Sequence, residues 1–134
     1  MDPSSQSDLM TLATTQDAGL RNAAALRLAD ARVPEAKAVL VGLILTEDLR
    51  NHRGTLVYCL GHFDCSDQFG LLIGLVISGN FEVACGALHI LESLEGVSRE
   101  QAQLASDALE DALVKTSAED WRREFLDGVL EMFD

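Results

Sequence analysis

With 134 residues, 48% of them hydrophobic and 24% charged, the chain has enough apolar material for one packed domain and lacks a disordered composition. Its net charge of −12, ten basic against 22 acidic side chains, would repel phosphate backbones and anionic lipid, which excludes nucleic-acid binding and favours a basic partner. The apolar runs around Gly42 and Gly74 are about ten residues long, against the roughly 20 that a membrane-spanning helix needs, so no membrane role is expected.

In chain order, "MDPSSQSD" has no basic region and no apolar stretch directly after it, so it does not read as a signal peptide, and residues 1–6 are expected to be a flexible lead-in. Residues 7–14 are expected to cap the domain, which then runs from 7 to 134. "AVLVGLILT" (38–46) returns as "GLLIGLVIS" (70–78), with Gly42 opposite Gly74 and Thr46 opposite Ser78. Extending this match outward places Leu20, Arg21, Ala24, Ala25 and Leu28 opposite His52, Arg53, Leu56, Val57 and Leu60. A third copy starts at "VACGALHILE" (83–92), where Ala84 takes the place of the arginine. The period is thirty-one to thirty-two, and repeats are placed at about 17–46, 47–78 and 80–113.

Each repeat reads as two helices. Leu20, Ala24, Ala25 and Leu28 recur at helical spacing, as do Leu49, Leu56 and Leu60, and Phe81, Leu88 and Leu91. Thr46 and Asn80 are placed as N-caps, and Pro34 as the opening of a helix. The second helices, near 35–45 and 67–77, are apolar almost all round, which predicts burial on several sides. Polar alternation, the mark of a half-exposed strand, is absent from both runs. In-phase Gly42 and Gly74 are read as opening a groove for the neighbouring repeat. The segment 98–113 keeps Leu104, Ala105, Ala108, Leu109 and Leu113 on one side and acidic residues on another. A C-terminal capping helix is placed at about 117–133, with Ser117 as N-cap and an apolar stripe of Trp121, Phe125, Val129 and Met132 or Phe133.

The stretch "GLRNAAALRLADARVPEAKAVLVGLI" resembles a HEAT-like repeat of the short bacterial variety named after phycobilisome lyases. The resemblance rests on Leu20-Arg21, the Ala24-Ala25 pair, Leu28, Asp30 and Pro34-Glu35-Ala36, and covers about residues 17–113. It implies an all-α, right-handed α-solenoid of about three helical hairpins with helical N- and C-terminal caps. Second helices in such folds line a concave face often used to bind proteins. A small acidic protein of this kind also resembles bacterial immunity proteins, which neutralise a cognate toxin, often a basic one, by covering its active site.

Cys59, His62 and Cys65 form C-x2-H-x2-C, but a structural zinc gathers four ligands, and Cys59 falls in a helix while the other two fall at a turn. The three cysteines have no disulfide-framework spacing, which fits reduced thiols and a cytoplasmic location. Adjacent His-Glu pairs and G-x-S-x-G are both missing, so neither an enzyme nor a bound metal or cofactor is expected. The alternative is a HEAT-like structural adaptor, or an accessory to a lyase or metal enzyme.

The strongest surface signal lies in the last helix. Asp120, Glu124, Asp127, Glu131 and Asp134 follow at spacings of four and three, which aligns five carboxylates as a docking ridge for a basic protein, supported by Glu110 and Asp111. A second candidate surface is apolar, drawn from Phe69, Ile73 and Val76 with Val41 and Ile77. The expected molecule is a monomer or weak homo-oligomer that binds a protein partner.

Overall fold

The computed structural model describes residues 1–133 and is all-α over that range, with eight α-helices, two short 3₁₀ segments and no strand among the described residues. Chain contacts divide it into two compact units, Met1–Asp64 and Cys65–Asp134.

In the first unit α1 spans Pro3–Thr14, so residues 3–6 of the segment expected to be a flexible lead-in are helical. The reason is local: Asp2 accepts a hydrogen bond from the Ser5 N–H, and Pro3 occupies a first-turn position where its missing donor is not needed. That backbone bond holds the Asp2 carboxyl below its ordinary pKa. Helix α2 (Ala18–Asp30), capped by Asp17, packs on α1 and is tied to it where Arg27 grips Asp8 through Nε and Nη2. Its buried face is Arg21, Ala24, Ala25, Leu28 and Ala29, while Leu20, assigned from its spacing to the core, is exposed. Arg32, at φ +51°, ends α2 in the left-handed region, and the Val33 N–H to Leu28 carbonyl bond closes the turn. Helix α3 (Glu35–Ile44) buries Ala36, Leu40 and Ile44. The next stretch is split: a 3₁₀ segment, Glu47–His52, precedes a short α4, Gly54–Leu60, which packs on α2 and α3. Thr46 does not cap it; its hydroxyl donates back to the Gly42 carbonyl at 2.9 Å.

The second unit is built around α5 (Phe69–Ser78), entered through a 3₁₀ turn at Ser66–Gln68. Helix α5 packs against α6 (Phe81–Ser93), α7 (Arg99–Val114) and α8 (Trp121–Glu131). Phe69, Leu72, Ile73, Leu75 and Val76 are buried as its apolar composition predicts. Asn80 caps α6, and Ser98 and Gln101 form a reciprocal capping box on α7. Gly96, at φ +73°, makes the bend between them. Asp120, not Ser117, caps α8, so the helix starts later than its spacing suggested; the centre of its buried stripe is Leu126 and Val129, while Trp121 and Met132 are 41% and 43% exposed.

Arginines close the helix ends. Arg21, almost fully buried, donates to the Thr15 carbonyl just past α1, and Arg53 donates to Ile44 at the end of α3 and to Arg50. These are the two arginines that the repeat aligns. The third copy has Ala84, which is fully buried; the open carbonyls at the end of α5 are met instead by Arg122 from α8, which donates to Val76, Ile77 and Gly79. Arg123 does the same for Leu113 and Thr116 after α7. Each cation thus sits where helix carbonyls lack partners and the helix dipole is negative.

The in-phase glycines do not open a packing groove. A Cβ at Gly42 or Gly74 would find no atom within 4 Å, and both are exposed. What their repeats share is the next polar residue: Thr46 donates to Gly42, and Ser78 to Gly74 at 2.8 Å. Gly79 is different, because a Cβ there would lie 2.6 Å from the Leu75 carbonyl and from Val83. Gly42→Ala is therefore expected to raise unfolding stability by up to about 1 kcal/mol through helix propensity, whereas Gly79→Ala should lower it by about 1–3 kcal/mol through overpacking. Urea denaturation of both variants checks the opposite signs.

Candidate functional site

Charge is divided unevenly between the units. The first holds eight acidic and six basic side chains, net −2; the second holds fourteen and four, net −10. Of those four cations, Arg122 and Arg123 are committed to backbone carbonyls and Lys115 pairs with Asp111 at 2.9 Å.

On α8, Glu124, Asp127 and Glu131 are exposed along one face, and none has a hydrogen-bond or ion-pair partner among the described residues. Asp120 stands at the head of this face, but its carboxylate turns back to accept from the Arg122 N–H at 2.9 Å. Asp134 lies outside the described residues. Among the described residues, the ridge therefore consists of three carboxylates and a cap. Glu110 and Asp111 are exposed on α7, Asp111 already engaged by Lys115. Beside the ridge, the Trp121 ring packs edge-on against Phe81 (5.0 Å) and Phe125 (5.7 Å), with the Arg122 guanidinium 4.5 Å from its centroid. Phe81 is 60% exposed, so an aromatic edge adjoins the acidic face.

The apolar candidates separate. Val76 is fully buried and cannot touch a partner; the correction follows from α6, α7 and α8 all packing around α5. Phe69 and Ile73 are mostly buried but line an open groove of about 430 Å³ between α5 and α7, with Gly70, Leu104, Ala105 and Ala108. Phe69 is braced from behind by Phe133, ring centroids 5.7 Å apart. Leu104, assigned from its spacing to the same side as Ala105 and Leu109, is 69% exposed on the lip.

The sulfur and imidazole candidates gather no site. Among the described residues, no three His, Cys, Asp or Glu side chains come together as a metal would require. No disulfide joins the cysteines; Cys59 and Cys65 are buried and Cys85 is partly exposed. Burial, with Asp30 adding to it, pushes the Cys59 thiol up to about 11, so it is neutral at physiological pH and a poor nucleophile. His62 is held locally, its ring edge-on to Tyr58 and its Nδ1 3.3 Å from the Tyr58 carbonyl.

In comparisons with known proteins, no family model, no curated protein and no solved structure matches the chain.

The Cys59 environment sets a pH dependence. Between its ordinary value of 9.0 and about 11 the folded thiol keeps a proton that the unfolded one loses, so stability falls as pH rises through this window and is unaffected by this group below it. Urea titrations from pH 8 to 11 should show that fall, and Cys59→Ala, compared at the same pH values, should flatten it.

Proposed function

We propose that the chain is a non-catalytic protein-binding module of the HEAT-like α-solenoid class, and within it an acidic immunity-type inhibitor that neutralises a basic toxin by covering it. The observation that carries this reading is the second unit: ten of the twelve net negative charges, with an α8 face of unpartnered carboxylates. Unpaired like charges at this spacing repel one another, and only Glu124, in the first turn of α8, is favoured by the helix dipole, so the fold gains little from the set; a cationic partner would gain, since complementary fields accelerate association and penalise wrong partners. The repeat reading is supported by local equivalences: Arg21 and Arg53 at helix ends, and the Gly42–Thr46 and Gly74–Ser78 bonds. In this reading the protein works in the cytoplasm as a monomer that occludes its target, with no cofactor.

Affinity capture of the full chain from its native cells, at low and high salt, tests the proposal. The expected result is one basic protein in stoichiometric amount, retained at low salt and depleted at high salt. Neutralising the α8 face with Glu124→Gln, Asp127→Asn and Glu131→Gln together should weaken that complex about three- to eightfold, at a few tenths of a kcal/mol per lost pair. An acidic partner, or capture equal at both salt concentrations, would overturn the reading.

A further inference from the structure

The groove between α5 and α7 has a chemistry distinct from the acidic ridge on α8. Phe69, Ile73 and Ala105 form its apolar floor, 8%, 6% and 1% exposed, and Gly70 lines it on the α5 side, where a Cβ would meet nothing within 4 Å. Leu104 rises at the lip with most of its surface in solvent. Going round α7 from Leu104 away from the groove, the next positions are Asp111, Glu100 and Asp107, all exposed and all within about 60° of it at 100° per residue. No lysine or arginine lines the groove. Ser66, Asp67 and Gln101 complete the lining, and a preformed slot with an apolar floor and carboxylates at its edges selects an occupant that is apolar on one face and cationic beside it.

We propose that this groove takes an amphipathic helix of a basic protein partner, large apolar side chains at i, i+3 or i+4 and i+7 entering over Phe69 and Ile73, with flanking lysines or arginines set against Glu100 and Asp107, Asp111 being already paired with Lys115. The inference rests on the protein-binding reading and locates where binding is anchored. A helix suits the site because its walls are two helices, which another helix meets ridge into groove. No strand exists among the described residues whose edge could pair with an extended peptide. A second copy of the chain is a poor occupant: across a two-fold axis the net −10 units would face each other, carboxylate against carboxylate. A small apolar ligand would leave the carboxylates unused.

The probe is a synthetic, fluorescein-labelled helical peptide of about 18 residues, leucines on one stripe and lysines on both flanks, titrated into the full chain at low salt by anisotropy. Its controls are a scrambled peptide of equal composition and one with glutamates in place of lysines. The expected result is binding of the striped cationic peptide at least about tenfold tighter than of either control, with a loss of similar size for Leu104→Asn, which removes the lip, and for Gly70→Leu, which fills the slot. Circular dichroism and urea melts of both variants confirm that the fold is kept; both sites have open space around them. Several results would overturn the groove assignment: equal binding of scrambled and striped peptides, binding unmoved by both groove variants, or no binding at all. If the captured partner is lost only on neutralising Glu124, Asp127 and Glu131, the groove proposal fails while the protein-binding reading survives; if no basic partner is captured, the reading itself fails. A doubled mass in light scattering, reversed by Leu104→Asn, would assign the groove to self-association and overturn the proposal.

Discussion

The structure depends on arginines spent on helix ends. An α-helix leaves its last carbonyls without partners, and short helices such as these have a large share of their backbone in that condition. Arg21, Arg53, Arg122 and Arg123 each reach back to the end of an earlier helix and donate to those carbonyls. A guanidinium is suited to this, since its several donors serve more than one carbonyl at once: Arg122 meets three, from Val76, Ile77 and Gly79. The bond is also a tether, because Arg122 belongs to α8 and its acceptors to the end of α5 and the turn after it. With Gly79 too crowded for a side chain, that corner of the second unit is held by backbone contact and by a single cation.

The same commitment determines the electrostatics. Ten basic residues among 22 acidic ones leave a deficit in any case, but arginines turned inward to carbonyls cannot also neutralise carboxylates on the surface. The effect is greatest in the second unit, where Lys115 and Arg99 are the only other cations. Glu124, Asp127 and Glu131 are left facing water side by side. Packing and surface charge are therefore linked: the cations that stabilise the helix termini are withheld from the acidic face of α8, and an apolar groove opens within the same acidic unit.

Much of the helix layout was legible in the residues. Periodicity and caps located α2, α3, α5, α6 and α7 within a few residues, because Asn80, Pro34 and the apolar arcs act locally. The short α4 was harder: Leu49, Leu56 and Leu60 keep helical spacing, yet the chain takes a 3₁₀ path through Leu49 before Gly54. Gly42 and Gly74 misled in a different way, since an in-phase glycine looks like a packing requirement, and only the empty space above it shows otherwise. At the site, spacing placed Glu124, Asp127 and Glu131 on one face correctly, as exposure of a charged helix face needs no tertiary knowledge. Burial of Val76 and exposure of Leu104 were not readable, because both sit in apolar arcs and only the neighbouring helices decide which part of an arc is covered.

The central claim is that the carboxylates of α8 serve a partner and not the fold, and the most direct test is the unfolding free energy of the Glu124→Gln, Asp127→Asn, Glu131→Gln variant at low ionic strength. Relief of like-charge repulsion should leave it as stable as the parent chain or more stable, by a few tenths of a kcal/mol for each pair relieved. A loss of about 1 kcal/mol or more would mean that these carboxylates hold the structure together, and would contradict the account.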